Sequence, residues 1–417
     1  MKFSKNVVFY KNDVYSFRSC AEIMKNKVVY LDNNATTCVA PEVLAAMTPY
    51  FCEQYGNPSS IHHFGGSVAG AVETARRQVA DLIGAKWRDR DGNASEIIFT
   101  SCGTEGDNAA LNSAVCARPE RKKVITTIVE HPAVLHYCDE LERRGYTVVK
   151  LPVNGKGQLD MDALRREVDE NTAVVSVMWA NNETGTIFPV AEACAAAHAK
   201  GALFHTDAVQ AAGKVKIDVD ALGIDFLTVS GHKLHAPKGV GALFVRRGIR
   251  FTPLIFGGHQ ERSRRGGTEN VASIVGFGKA CEMSSELLDE EYKILSAMRD
   301  ELEKRIAAVI PQIRINGDLD NRLPGTSSIS FECIEGESIL MMLDMFGICA
   351  SSGSACTTGS LEPSHVLRAM GIPYSAAHGT VRFSFSRYNT MDEVEFTVGK
   401  LAPVISRLRE ISPYWKG

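Results

Sequence analysis

Between about residue 42 and residue 290 the chain alternates short, almost wholly apolar runs with longer amphipathic segments. No other feature limits its possible folds as strongly. The apolar runs are Val124–Val129, Thr147–Val153, Ala173–Trp179, Ala202–His205, Phe226–Ser230 and Ala242–Val245. Strands covered on both faces read as near-continuous apolar runs of this kind, without a polar residue at every second position. Helical patterns at Pro41–Gln54, Val68–Ile83, Pro132–Arg144 and Val190–Lys200 lie ahead of or between them. Such alternation predicts an α/β fold with a mostly parallel sheet and helices on both faces.

A polar amphipathic stretch, Ser284–Val309, predicts a helix that links to a second unit. Strand-like Ser327–Glu332 and Val381–Ser386 and helix-like Glu337–Met345 and Met391–Glu410 make that unit α+β, with Val28–Thr37 packing on it. The expected organisation is a flexible extension (1–27), a large domain (42–288) and a small domain (28–41 with 289–417). A formal net charge of −3 offers no basic excess for nucleic acid or an anionic membrane. No window holds the roughly 18 apolar residues of a membrane span. Residues 1–27 are basic and lack the continuous apolar centre of a signal peptide, so a cytoplasmic location is expected. The 11 cysteines include no C-x-x-C pair, which argues against a disulfide framework and a structural metal site.

Open α/β sheets bind ligands at the carboxyl ends of their strands, so residues just past each run are the first candidates for chemistry. After Thr100 comes the small polar turn Ser101-Cys102-Gly103-Thr104-Glu105, which opens a helix. Free N–H groups at a helix start can cradle a phosphate, though an ordinary cap reads the same way. His131 follows Val124–Val129, Asn181-Asn182 follows Ala173–Trp179, and Asp207 with Gln210 follows Ala202–His205. Ser230-Gly231-His232-Lys233 ends the next run. Asp207 and Lys233 on neighbouring strand ends read either as a structural ion pair or as a pyridoxal phosphate site. That cofactor requires a lysine to carry it and an acid beside its ring nitrogen. In this reading Gly103 and Thr104 take the phosphate, His131 stacks on the ring, and Asn182 and Gln210 bond the phenolic oxygen.

A second reactive candidate is Cys356, set among small residues from Ser351 to Ser360. So many small residues build little core and predict a mobile surface loop, about 349–362, carrying an exposed thiol. In the same unit Arg382 has the fork geometry to hold a carboxylate.

Together the motifs resemble those of the cysteine desulfurases. Those that carry the likeness are Leu31-Asp32-Asn33-Asn34-Ala35-Thr36-Thr37, Gly56-Asn57-Pro58-Ser59-Ser60, Glu130-His131-Pro132, Asn181-Asn182-Glu183-Thr184-Gly185, His205-Thr206-Asp207-Ala208-Val209-Gln210 and Ser230-Gly231-His232-Lys233. The stretch Ser351–Ser364, ending Leu361-Glu362-Pro363-Ser364, resembles the long-loop, nitrogen-fixation group of that family. The likeness runs from about Val28 to the C-terminus. It implies a pyridoxal-phosphate enzyme of fold type I, acting as a homodimer on L-cysteine. It further implies that Lys233 binds the cofactor, Asp207 pairs with its ring nitrogen, and His131 serves as acid/base. Gln210 and Asn182 would contact the phenolic oxygen. Gly103, Thr104, Ser230 and His232 would hold the phosphate, and Thr268 would reach the phosphate of the partner subunit. Asn34 and Arg382, with Asn182 beside them, would bind substrate. Cys356 would receive sulfur for an iron–sulfur scaffold protein of the NifU type.

Overall fold

The computed structural model describes residues 28–352 and 363–415, so the extension 1–27 and Cys356 lie outside the described residues. Thirteen strands are present among them: β1 (Val29–Tyr30), β2 (Ile97–Thr100), β3 (Lys123–Thr127), β4 (Thr147–Leu151), β5 (Thr172–Ser176), β6 (Leu203–Asp207), β7 (Phe226–Ser230), β8 (Gly241–Val245), β9 (Ile313–Asn316), β10 (Thr326–Phe331), β11 (Ile348–Cys349), β12 (Ser351–Ser352) and β13 (Thr380–Ser384). Seven of them form the main sheet in the order β2-β8-β7-β6-β5-β3-β4. Strands β4, β3, β5, β6 and β7 are mutually parallel. Strand β8 runs against both β7 and β2, so every strand but β8 points the same way. Residues on both faces of the central strands are buried, including Val174, Val175, Phe204, Phe226 and Leu227. That double burial is why these strands read as apolar runs.

The helices that matter for the site are α1 (His63–Leu82), α2 (Gly103–Ala117), α3 (Pro132–Arg143), α4 (Val271–Val309), α5 (Gly336–Asp344), α6 (His365–Ala369) and α7 (Met391–Ile411). Two departures from the expected boundaries have a physical cause. The segment expected as one helix, Pro41–Gln54, is split into Pro41–Met47 and Pro49–Cys52, because Pro49 starts a new helix at its first position. Helix α4 is 39 residues long and begins thirteen positions before the expected Ser284. Its early part carries Gly276 and Gly278, which weaken the helical pattern but let the helix approach its neighbours closely. A Cβ on Gly278 would lie 2.6 Å from Ala75 of α1.

Helix α4 spans two cores. Ala272, Phe277 and Cys281 join the core of the main sheet, while Leu295, Leu302 and Ile306 join a second core. The second core sits on the four-stranded sheet β12-β13-β10-β9 and includes Val29 and Leu31. Strand β1 pairs with β11, which fastens the start of the described chain to this unit. The segment after residue 363 crosses back: Val366, Leu367, Met370 and Ile372 pack into the larger core. No helix among the described residues is long and apolar enough to cross a membrane.

Candidate active site

The carboxyl ends of β2, β3, β5, β6 and β7 open onto one cavity of about 590 Å³. Gly103, Thr104, His131, Asn182, Asp207, Gln210, Ser230, His232 and Lys233 line it, joined from the smaller unit by Asn34 and Arg382. The expected residues that do not line it are Thr268, which sits elsewhere, and Cys356, which lies outside the described residues.

Helix α2 begins at this cavity, and its N-cap Cys102 makes no side-chain cap. Its first amides are therefore donors without the usual capping oxygen. Glycine is required at its start by space. A Cβ on Gly103 would lie 2.9 Å from Val209 Cγ2, and one on Gly106 would lie 2.6 Å from Thr228 Cγ2. His131 caps α3: its Nδ1 accepts a hydrogen bond from Ala133 N at 3.1 Å. The neutral ring therefore carries its proton on Nε2. Burial holds His131 below the usual histidine range, with Asp207 opposing that shift and Lys233 adding to it.

Asp207 is the last residue of β6, and its Oδ1 accepts from Val209 N at 2.9 Å. Burial, helped by the Asp107 carboxyl, pushes its pKa up to about 7. Asp107 is itself buried and pushed up to about 8. His205 stands beside it, with Nδ1 at 2.8 Å from Ser176 Oγ and Nε2 at 3.5 Å from Asp107 Oδ1. Burial holds His205 down at about 4, so it adds no positive charge at neutral pH. Two buried acids beside a neutral imidazole favour a cation placed against them.

On the opposite wall Lys233 Nζ donates to the carbonyl oxygens of Asn34 at 2.5 Å and Ala35 at 2.7 Å. Gln210 Nε2 donates to the same Asn34 oxygen at 2.9 Å. Asn34 Nδ2 bonds Thr326 Oγ1 at 2.9 Å and Asn182 O at 3.2 Å. His232 Nδ1 lies 3.2 Å from Thr36 Oγ1, and burial next to Lys233 pushes its pKa down to about 4. Arg382 is buried within β13 and donates to Asn182 O at 3.0 Å and to Asp32 at 2.8 Å. The Asp32 ion pair was not anticipated from sequence.

Thr268 belongs to a separate cavity of about 230 Å³, shared with Thr100, Ser101, Arg265 and Glu269. Arg265 bonds Glu105 at 2.9 Å, and Glu105 accepts from Ser101 N at 2.7 Å, which ties this region to the first turn of α2.

Sequence reasoning also passed over four buried or half-buried groups around the site: Asp107, Glu130, Glu183 and Lys214. Asp107 had a readable signal, because it lies one helical turn after Gly103 and so on the same side of α2. Glu130 and Glu183 lack one, since each is a polar residue in a turn until the fold buries it. Glu130 accepts from Thr127 Oγ1 at 2.8 Å and from Met178 N at 2.9 Å. Glu183 accepts from Ser364 Oγ, and His365 Nε2 lies 3.0 Å from Glu130 O. These contacts dock the Pro363–His365 stretch onto the cavity wall.

A family model for class-V aminotransferases matches residues 29–396. The chain belongs to that family. Within it, this class-V enzyme is 58% identical over 389 residues to the cysteine desulfurase NifS of Azotobacter vinelandii, covering 93% of this chain and 95% of that one. Among solved structures, a NifS-like protein superposes with a TM-score of 0.84 at 37% identity, over 92% of this chain and 100% of the other. SspA in complex with cysteine superposes with a TM-score of 0.75 at 34% identity, over 87% of this chain and all of that one. The class-V enzyme is thus a pyridoxal-phosphate-dependent member of the cysteine desulfurase group.

The cavity fits that cofactor on its own chemistry. The uncapped start of α2 and the cradle at Gly103 suit a phosphate. The Asp207–Asp107 wall suits a protonated ring nitrogen. Lys233 supplies an amine across the same cavity.

Proposed function

We propose that the enzyme converts L-cysteine to L-alanine and leaves the sulfur as a persulfide on Cys356. The observation that carries this reading is the convergence of Lys233, Asp207, His131, Asn34 and Arg382 on one cavity. Pyridoxal phosphate supplies an electron sink for the carbanion formed at the substrate α-carbon. Lys233 would hold the cofactor, and its amine, when free, would take the α-proton. Asp207 would keep the ring nitrogen protonated. Gly103 and Thr104, with Ser230 and His232 beside them, would hold the phosphate. Gln210 and Asn182 would bond the phenolic oxygen. Arg382 and Asn34 hold the substrate carboxylate, so that Asp32 gives up part of the guanidinium on binding. His131, with its proton on Nε2 and a pKa lowered by burial, moves protons during carbon–sulfur cleavage.

In the balanced step the Cys356 thiolate attacks the substrate sulfur. A sulfur–sulfur bond forms as the carbon–sulfur bond breaks, the sulfur is oxidised and the β-carbon is reduced to a methyl group. The described chain supports this role for Cys356. It leaves at Ser352, beside the strand position where Ser351 pairs with Arg382, and returns at Pro363 on the cavity wall.

The enzyme works as a homodimer in which Thr268 reaches the phosphate of the other site. Exposed Tyr55 and Phe64, whose rings meet edge to face, are apolar side chains that a second copy would cover. The persulfide sulfur passes to an iron–sulfur scaffold of the NifU type, in the cytoplasm, for cluster assembly that serves nitrogenase. The 58% identity to a NifS protein supports this branch.

One experiment tests substrate, reaction and acceptor together. Holoenzyme is incubated with L-cysteine alone, and its peptides are mapped by mass. The expected result is alanine with one added sulfur on the peptide containing Cys356. Alanine release with that peptide unmodified, or full turnover by Cys356→Ser, defeats the assignment.

A further inference from the structure

Lys214 is a second lysine, set behind the Gln210 and Asn34 wall of the cofactor cavity, and the reaction outlined above does not use it. It follows Gly213, whose φ of +68° and close packing both demand glycine: a Cβ there would lie 2.5 Å from Leu234 Cδ2 and 3.0 Å from Ser284 Cβ. The chain turns back at this point. Lys214 Nζ then donates to Gln210 Oε1 at 2.9 Å and lies 3.4 Å from Asn34 Oδ1.

An ammonium group only donates hydrogen bonds. It therefore selects the oxygen end of each amide it meets. With Oε1 taken by Lys214, Gln210 presents Nε2, which donates to the carbonyl of Asn34 at the Lys233 amine. With Oδ1 turned toward Lys214, Asn34 presents Nδ2 to Thr326 and Asn182. An amide side chain is nearly symmetric in shape, so space alone does not choose between its two orientations. Hydrogen bonding does: the Asn34 and Asn182 carbonyls accept from the nitrogen ends, and the Lys214 ammonium takes the oxygen ends of both amides at once.

We propose that Lys214 is a positioning residue: it locks the amides of Gln210 and Asn34 with their oxygens toward its ammonium and their N–H groups turned away, and so fixes Gln210 as the donor that meets the cofactor's phenolic oxygen. This rests on the assignment of Lys233 and Gln210 to the cofactor. The surrounding charges agree with a demanding position. Lys233 and Arg382 repel the ammonium, while the carboxylate that offsets them, Glu291, is engaged by Arg387 at 2.7 Å. Burial, with those two cations, lowers Lys214 to about 7. The ammonium form, and with it the selection of both amide oxygens, is therefore lost as pH rises past that value.

The test uses the visible absorption band of bound cofactor, titrated with pH in intact holoenzyme. A donor to the phenolic oxygen and a nearby cation both oppose protonation of the adjoining groups. Lys214→Met should therefore raise the midpoint by about one unit, a roughly tenfold change in proton affinity, and should loosen cofactor binding to apoenzyme. Lys214→Arg should return the midpoint toward the wild-type value. In a Gln210→Leu background the further effect of Lys214→Met should be smaller, because only the direct effect of the charge remains once the amide it orients is gone. An unchanged midpoint in Lys214→Met, or equal effects in both backgrounds, overturns the proposal. If Lys214→Met does not accumulate, Lys214→Gln is read by the same criteria. Borohydride fixation followed by peptide mapping separates two failures. Cofactor on a lysine other than Lys233 removes the underlying assignment, whereas cofactor on Lys233 with no shift removes only the role of Lys214.

Discussion

At the scale of single residues, the cavity is decided by a few charges in low-dielectric surroundings. Arg382 is the clearest case, a buried guanidinium shared between Asp32 and the Asn182 carbonyl. A substrate carboxylate has to compete with Asp32 for it, and only the planar fork can serve both. Arg382→Lys keeps the charge but loses the fork. The expected outcome is a KM for L-cysteine raised about 10- to 100-fold with a smaller change in kcat, the value of one charge-assisted hydrogen bond. Steady-state kinetics of the variant check it, and an unchanged KM would remove Arg382 from substrate binding. The candidate residues at this scale were largely legible. Asp207 ends β6, and His131 and Lys233 follow shortly after β3 and β7; strand ends can be read from where apolar runs stop. Asp32 was not legible, because its partner Arg382 is 350 residues away in sequence, and Lys214 was not, because Gln210 four residues before it reads as an ordinary helical neighbour until Asn34, 180 residues away, is packed beside both.

At the scale of elements, glycine placement separates what periodicity can and cannot show. Gly278 lies inside α4 with Ala75 of α1 against it, whereas Gly70 in α1 faces open space. Helix propensity favours Gly→Ala by about 1 kcal/mol at both positions. Overpacking at a tight helix contact costs about 1–3 kcal/mol, so at Gly278 it wins. Gly278→Ala is expected to destabilise the protein and Gly70→Ala to stabilise it, a contrast in sign that denaturant melts of the two variants will reveal. The helical pattern of the sequence therefore shows α4 only from Ser284 onward, although it begins at Val271. Its glycines look like a break in a helix until the second helix is seen lying on them. The end helix α7 was legible almost to the residue, because Thr390 and Glu393 form a capping box written in four consecutive letters.

At the scale of the whole molecule, the two cores are joined by α4 and by the chain around Arg322. Arg322 and Glu303 form a buried double contact at 2.7 and 2.8 Å, and Ser327 adds a third bond to Glu303. Leu323 beside Arg322 packs into the larger core, while Leu302 beside Glu303 packs into the smaller one. Removing one partner leaves the other charge buried and alone, at a cost of about 3–5 kcal/mol. Glu303→Ala is therefore expected to lower the melting temperature clearly, measured by calorimetry of the holoenzyme, and loss of joint unfolding of the two cores would appear as a second transition. The sequence by itself determined the layered α/β plan, the strand ends that carry chemistry and the family. These depend on local periodicity and on motifs that are contiguous in the chain. Tertiary structure alone decided which distant groups the motifs face: Asp32 on Arg382, Lys214 on Asn34, and the Ser364 hydroxyl on Glu183. Burial and pairing across hundreds of residues are properties of the packed chain, and no local pattern of letters encodes them.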